Sequence, residues 1–226
     1  MRTRSVVSVL SAVLLSFSCA GATAQDYASW IRRSDSRDNR LIAEMMDQGD
    51  LTAGLQIAAA LGDRQDAEIQ DIILAVGEAS DARPQWEREL ILRALLVSVF
   101  PASLGDGELA DRLAANREGF HFLVSGLPGF TLSLKREIIR LLGFFHPAEY
   151  LGSLMREGRL LAELLQRQEG QLNGEQAGLI LTYLETLRRI ADPEFGDIVL
   201  LIRKRSRHPE VAQAANNVSR SLLYPE

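Results

Sequence analysis

The sequence predicts an all-α fold, a right-handed α-solenoid of about 12 helices in stacked units. The first indication is a long period, because Leu95, Leu141 and Leu187 recur at intervals of 46 residues. Each of these leucines is followed six residues later by a proline. A period of this length is typical of helical units that cannot bury their apolar face alone and therefore stack on a neighbour.

The positions around each leucine form one helix face. Leu92, Ile138 and Leu184 share the 46-residue spacing and precede the leucines by three residues. Residues three and four apart lie on the same side of an α-helix. Within each of the three segments, the leucine and the residue three positions before it therefore belong to one apolar stripe. The prolines then fall where the first turn of a following helix tolerates a residue without an N–H. Pro147 and Pro193 are therefore predicted helix starts.

Turn signals divide the chain into helices of about 10 to 17 residues. These signals are clusters of Gly, Pro, Asn, Asp and Ser, at 48–50, 62–63, 80–84, 105–107, 126–129, 157–158, 173–174 and 208–209. Grouped by the 46-residue spacing, the helices make three-helix units at roughly 86–125, 132–169 and 176–223, with a unit of shorter helices before them at 39–79.

Residues 1–24 have the pattern of a secretory signal peptide. Arg2 and Arg4 precede a mostly apolar stretch at 6–17, and small residues at 22–24 fit signal peptidase. The apolar stretch is shorter than the roughly 20 residues that a membrane-spanning helix needs. We therefore expect export with cleavage after Ala24. Residues 25–38 would follow as a polar N-terminal lead, either flexible or capping, before a single helical-repeat domain at 39–226.

Cys19, the one cysteine in the chain, supports a second interpretation. A cysteine just after an apolar export segment resembles the modification site of bacterial lipoproteins, although Ser16 stands where that family usually has leucine. Lipidation of Cys19 would make the protein a membrane-anchored accessory lipoprotein of an envelope complex. Both interpretations exclude a disulfide, thiol catalysis and cysteine-based metal sites.

The charge balance argues against nucleic acid as a partner. The chain has 25 basic and 30 acidic residues and a net charge of −5, and loss of the N-terminal segment would make it more acidic. One basic segment stands out, containing Arg203, Lys204, Arg205 and Arg207. These cations either complement the negative end of a helix dipole or contact an anionic lipid head group or an acidic partner.

The C-terminal part of the chain resembles HEAT repeats. A predicted helix ends near Asp192-Pro193, a second apolar helix runs to Ile202, and the next segment opens with Pro209-Glu210 and then valine and small residues. The likeness is clear over 132–223, weak over 84–125, and shared with armadillo-like arrays.

One position departs from the HEAT pattern, because Ala212 stands where the family usually has arginine. The resemblance therefore implies the fold without the polar ladder of that family. It also implies an elongated surface offered to proteins or peptides. The expected function is that of a non-catalytic scaffold or adaptor.

No catalytic constellation is apparent in the sequence. The three histidines lack the spacing of a zinc site, and there is no phosphate-binding glycine motif or nucleophile elbow. The sequence therefore predicts no enzyme, no cofactor and no metal site. The remaining alternative is a carbohydrate-active or ligand-binding α/α toroid, which would need paired inward carboxylates and aromatic platforms.

Two clusters are candidate partner-binding sites. One is the basic segment, and the other contains Phe120, Phe122 and Phe130 around a glycine-proline loop at 126–129. These aromatic rings either fill the core or, where exposed, form a binding patch. The expected partner is another protein or peptide of the bacterial cell envelope. We expect no nucleic acid and no membrane contact except through a lipid anchor, and the sequence leaves the oligomeric state open.

Overall fold

A computed structural model describes residues 24–64, 66–78, 83–144 and 149–223. This part of the chain contains twelve α-helices, three short 3₁₀ turns and no β-strand. The all-α prediction is therefore confirmed. The chain divides into two compact units, Met1–Leu104 with Ala115–Phe120, and Gly105–Ala114 with His121–Glu226.

The first unit is built from five helices that pack on their second neighbours. Their bounds are α1 Ala24–Ile31, α2 Asn39–Gln48, α3 Leu51–Leu61, α4 Gln70–Gly77 and α5 Gln85–Val99. Helix α3 packs on both α1 and α5, and α2 packs on α4. Fully buried apolar side chains line these contacts, among them Ile42, Ile57, Ile73 and Leu95.

The segment predicted as a polar lead, 25–38, is structured. It contains most of helix α1, which packs on α3, and Ile31 at the end of that helix is fully buried. A 3₁₀ turn at Ser36–Asp38 then leads into α2. The buried side chain of Ile31 therefore joins this segment to the core of the first unit.

The second unit repeats the same packing. After α6 Asp106–Ala115 and α7 Arg117–Gly126, which carry the boundary between the units, come α8 Leu132–Leu142, α9 Leu151–Arg167, α10 Gly174–Ile190, α11 Gly196–Arg205 and α12 Pro209–Leu223. Helix α10 packs on both α8 and α12, and α9 packs on α11.

Residues about one period apart touch in both units. In the second unit, Arg136 Nε on α8 donates to Thr182 Oγ1 on α10 at 3.3 Å, across 46 residues. In the first unit, the Ile69 N–H donates to Asn116 Oδ1 at 2.5 Å, across 47 residues.

Most predicted turns coincide with helix ends. Asp50 begins α3, where its carboxylate accepts from the Ala53 N–H at 2.7 Å, and Asn173 forms a capping box at the start of α10. Pro193 opens the 3₁₀ turn that leads into α11, as a helix-start proline should. Pro147 lies outside the described residues.

The predicted turn at Glu157-Gly158 is wrong, because both residues lie inside helix α9. A Cβ at Gly158 would collide with the hydroxyl of Tyr183 on α10. Glycine at this position therefore allows the Tyr183 side chain to approach the backbone of α9 closely. Its sequence signal resembles that of a turn because both need a residue without a side chain.

A buried arginine organises the loop between α3 and α4. Arg64 is 3 % exposed and donates to Asn39 Oδ1 at 2.7 Å and to the Asp66 carbonyl at 2.5 Å. Burial lowers the pKa of Arg64 despite the carboxylates around it.

For the neighbouring Asp66, hydrogen bonds and a nearby charge outweigh the effect of burial on the pKa. Burial acts to raise its pKa, but the N–H groups of Glu68 and Ser36 each donate to the carboxylate at 2.8 Å, and the charge of Arg64 adds to them. The pKa of Asp66 therefore lies below its ordinary value.

Candidate functional site

The three phenylalanines predicted around the glycine-proline loop do not form one exposed patch. Phe120 is 1 % exposed and belongs to the core, which is the first of the two alternatives that the sequence left open for these rings. Phe122 and Phe130 are half-buried. The ring of Phe130 packs over Gly126, where an added Cβ would lie 2.7 Å from it.

The basic segment lies at a helix end. Arg203, Lys204 and Arg205 occupy the last turn of α11, where positive charge complements the helix dipole. Arg205 is half-buried and its Nη1 donates to the Ala162 carbonyl on α9 at 2.9 Å. Arg205 therefore joins two helices, whereas Arg203, Lys204 and Arg207 remain exposed.

The lipidation candidate, Cys19, lies outside the described residues. Within the described ranges, no three His, Cys, Asp or Glu side chains are grouped so that they could hold a metal ion. None of the described helices has both the length and the apolar composition of a bilayer span.

Helix α5 carries an exposed apolar row that the sequence analysis missed. Trp86, Leu90 and Val97 are 54 %, 36 % and 43 % exposed, and Arg93, also exposed, lies between the last two. The four positions are four, three and four residues apart, so they follow one side of the helix. We call them the outer stripe. The opposite side of α5 is buried and contains Ile91, Leu92, Leu95 and Leu96.

The composition of the outer stripe suits contact with a protein. Tryptophan and arginine are enriched at the centres of protein interfaces, because each combines a large contact area with hydrogen-bond donors. Among the described residues Arg93 has no charged partner. The sequence did hold a signal for this stripe. From Leu90 to Val99 only Arg93 and Ser98 are polar, so the apolar residues of this stretch fall on more than one side of helix α5, which is typical of a helix that is enclosed or part of an interface.

The second unit contains a buried ion pair. Lys135 Nζ on α8 donates to Glu157 Oε1 on α9 at 2.8 Å, and the two side chains are 9 % and 2 % exposed. The other carboxylate oxygen, Glu157 Oε2, is buried and has no hydrogen-bond partner in the described part of the chain.

A tyrosine completes the polar group around Glu157. Tyr183 is fully buried, and its hydroxyl donates to the Leu154 carbonyl at 3.1 Å. Burial and the nearby charge of Glu157 both raise the pKa of Tyr183, so this hydroxyl stays protonated. Because it already donates to Leu154, it does not satisfy Glu157 Oε2.

Both members of the ion pair line a cavity of about 240 Å³. We call it the leucine cavity, because its other walls are mainly Leu132, Leu160, Leu161, Leu164 and Leu179. Glu163 and Arg167 also line it and pair with each other at 3.2 Å. The cavity therefore combines apolar walls with two ion pairs, of which the first is buried and the second is exposed.

Comparison with known proteins gave no match, since no protein-family model, curated protein or solved structure is significantly similar to this chain. The function proposed below therefore depends on the outer stripe, the packing of the helices and the pattern of the N-terminal residues.

Proposed function

We propose that this protein is a non-catalytic helical-repeat scaffold that binds another protein of the bacterial cell envelope through the outer stripe. The observation that carries this proposal is the exposed row of Trp86, Leu90 and Val97 around Arg93. Exposed single apolar residues are common, but an aligned row that includes a half-exposed tryptophan is typical of an interaction surface.

Packing inside each unit supports the helical-repeat part of the proposal. Helices pack on their second neighbours, and residues 46 or 47 positions apart form hydrogen bonds. Both features fit a HEAT-like or armadillo-like array, in which equivalent helices of successive repeats lie side by side.

The partner that fits the outer stripe is an amphipathic helix with an acidic residue near its centre. Apolar side chains at positions 86, 90 and 97 offer anchoring contacts along about three helical turns. Arg93 would lose water on binding, and a carboxylate opposite it would form a charge-assisted hydrogen bond that offsets this cost.

The N-terminal residues support the envelope location. A charged start, a short apolar stretch and small residues before Gln25 fit an export signal. Mass analysis of the protein isolated from its native host distinguishes a soluble form from a lipid-anchored one. A Gln25 start indicates a soluble protein, an acylated Cys19 an anchored one, and an intact Met1 start in the cytosol would contradict export.

Site-specific photo-cross-linking tests the binding surface. We would place p-benzoylphenylalanine at Leu90 in the full chain and irradiate cells of the native host. The matched position is Thr52, which is exposed on α3 of the same unit but lies outside the stripe. We expect one defined product from position 90 and none from position 52.

Two further measurements separate specific binding from adventitious capture. Arg93→Glu should abolish the product, and a synthetic peptide covering the cross-linked partner segment should bind the wild-type chain at least about tenfold more tightly than Trp86→Ala. Equal products from positions 52 and 90, or a product indifferent to Arg93→Glu, would refute the stripe as the docking surface.

A further inference from the structure

We propose that one face of helix α9 binds an acidic segment of a partner protein through Arg156 and Arg159. This inference goes beyond the scaffold function and concerns a different part of the chain, since the outer stripe belongs to the first unit and α9 to the second. The face lines an open groove, which we call the arginine groove. Its described lining residues are Gly152, Met155, Arg156, Arg159, Leu160 and Glu163.

The lining residues follow one side of α9 over about three turns. Gly152, Arg156, Arg159 and Glu163 are four, three and four residues apart, which is the spacing of side chains that lie above one another on a helix. All four residues are exposed. The two arginines are therefore neighbours on the helix surface, and both can contact one ligand.

Neither of these arginines has a charged partner among the described residues. The other arginines of α9 and α10 pair with carboxylates three or four residues away on their own helix. Arg167 pairs with Glu163 at 3.2 Å, and Arg188 pairs with Glu185 at 2.7 Å. Because Glu163 is held by Arg167, it does not neutralise Arg159. The arginine groove therefore retains two positive charges that the described part of the chain leaves without a counter-charge.

The helix dipole does not account for these two charges. Cations are stabilised in the last turn of a helix, and the effect falls off within that turn. Arg159 lies eight residues before the end of α9 at Arg167, and Arg156 lies still earlier. Like charges this close on one helix face also repel each other. An anionic ligand would remove the repulsion.

Gly152 extends the groove over the first turn of α9. An added Cβ at this position would meet no described atom within 4 Å. Packing inside the described part of the chain therefore does not require glycine here, although glycine weakens a helix. The absence of a side chain leaves room for a ligand beside Arg156.

The surroundings of the arginines favour an acidic peptide over an anionic lipid surface. Leu160 is 38 % exposed and Met155 is half-buried, so both offer apolar contacts next to the charges. A guanidinium group matches a carboxylate through two parallel hydrogen bonds. The net charge of −5 opposes approach to an extended anionic surface, whereas a short segment is affected mainly by charges within about 10 Å.

Selection from a phage library of random peptides tests the proposal with the full chain. The library is first depleted on the double variant Arg156→Gln with Arg159→Gln and then selected on the wild type, so that peptides requiring the two arginines are retained. We expect these peptides to share two neighbouring acidic residues and an adjacent apolar residue. Retained peptides without acidic residues, or the absence of any peptide that requires the arginines, would overturn the proposal.

Isothermal titration calorimetry with a synthetic copy of the most enriched peptide measures the effect. We expect the wild type to bind it at least about tenfold more tightly than the double variant, because charge-assisted hydrogen bonds are lost. Arg203→Gln with Arg207→Gln is the matched control, since it removes the same two charges from exposed positions of the second unit. An equal loss of affinity in this control would refute the arginine groove as the binding site.

Gly152→Glu tests the site without removing an arginine. The new carboxylate lies four residues before Arg156, in the order that favours an ion pair on a helix. It should compete with the peptide and weaken binding at least about threefold. Gly174→Glu is the control, because it adds the same charge to the first turn of α10, where an added Cβ also meets no described atom. Unchanged affinity in Gly152→Glu would contradict the proposal.

Co-sedimentation with phosphatidylglycerol vesicles tests the lipid alternative. We expect the double variant to sediment with vesicles to the same extent as the wild type. Vesicle binding that is lost in the double variant would assign the groove to a lipid and overturn the proposal. Thermal melts confirm that each variant is folded before these measurements. None of the results affects the outer stripe, whose cross-linking test uses other residues.

Discussion

At the buried ion pair between Lys135 and Glu157, removal of one partner should destabilise the fold more than removal of both. Both side chains are nearly inaccessible to water, at 9 % and 2 % exposure. Lys135→Ala leaves a buried carboxylate without its counter-ion, so we expect the free energy of unfolding to fall by about 3–5 kcal/mol. Urea denaturation followed by circular dichroism measures this loss.

The double variant Lys135→Met with Glu157→Leu is the control for that prediction. It removes both charges and retains similar volumes, so its stability should lie within about 1 kcal/mol of the wild type or above it. A double variant as unstable as Lys135→Ala would contradict this expectation, because it would mean that the ion pair stabilises the unit more than apolar side chains of similar volume do.

The lowered pKa of Asp66 predicts that the stability of the fold depends on pH. Its pKa is lower in the folded chain than in the unfolded one, so at acidic pH the unfolded state binds more protons. The stability that this carboxylate contributes is complete above the unfolded pKa, about 4, and is lost as pH falls through the folded value. We expect Asp66→Asn to lack this part of the acid-induced loss.

Urea unfolding of the wild type and Asp66→Asn at a series of pH values from about 6 to about 3 measures the effect. Asp71→Asn is the matched control, because Asp71 is exposed on α4 and lies outside the hydrogen bonds described for Asp66. An equal flattening of the pH profile in both variants would refute the assignment to Asp66.

At the scale of the helix, the contact between α8 and α10 depends on the leucines whose 46-residue spacing predicted a repeat. Leu141 and Leu187 are fully buried, and between these helices Thr186 Oγ1 donates to the Ile139 carbonyl at 2.8 Å. Leu141→Asp places an unpaired charge in this contact, so we expect a loss of about 4 kcal/mol or more.

Thermal unfolding of Leu141→Asp by far-UV circular dichroism checks this, with Leu201→Asp as the control. Leu201 lies on α11 and is 38 % exposed, so the same substitution should cost less than about 1 kcal/mol there. An unchanged melting temperature in Leu141→Asp would show that the repeat register is misplaced.

The helices of this protein are predictable from sequence because their signals are local. Asp50 and Asn173 begin helices through hydrogen bonds within three residues of themselves, and the buried stripe of each helix repeats at a fixed spacing. Gly158 was misinterpreted because its neighbour Tyr183 is 25 residues away along the chain.

The candidate sites were harder to predict, because the contacts that define them join residues far apart in the sequence. The exposure of Trp86 depends on what covers helix α5, and the neighbouring residues in the sequence do not show this. The pairing of Lys135 with Glu157 spans 22 residues and two helices. Phe120 is a further example, since the aromatic cluster was compatible with either a core or a surface patch, and only the packing of the fold shows that this ring is buried.

At the scale of the whole molecule, a repeat period does not reveal where an array divides into compact units. Every helix in such an array packs on the next by the same kind of contact, so no change of composition marks a boundary. The single domain predicted over 39–226 stays a prediction, and within the chain two compact units can be distinguished, each with its own buried side chains.

Hydrogen exchange followed by mass spectrometry tests whether the two units unfold separately. The core of the first unit, with Ile42, Ile57 and Leu95, contains no residue of α8 to α12. We therefore expect Leu141→Asp to accelerate exchange across the helices of the second unit while amides of α2, α3 and α5 keep their protection. Ile57→Asp is the reciprocal variant and should accelerate exchange in the first unit only. Parallel loss of protection in both units, in either variant, would mean that the chain unfolds as one cooperative body, because contacts between successive helices then transmit the damage along the whole array.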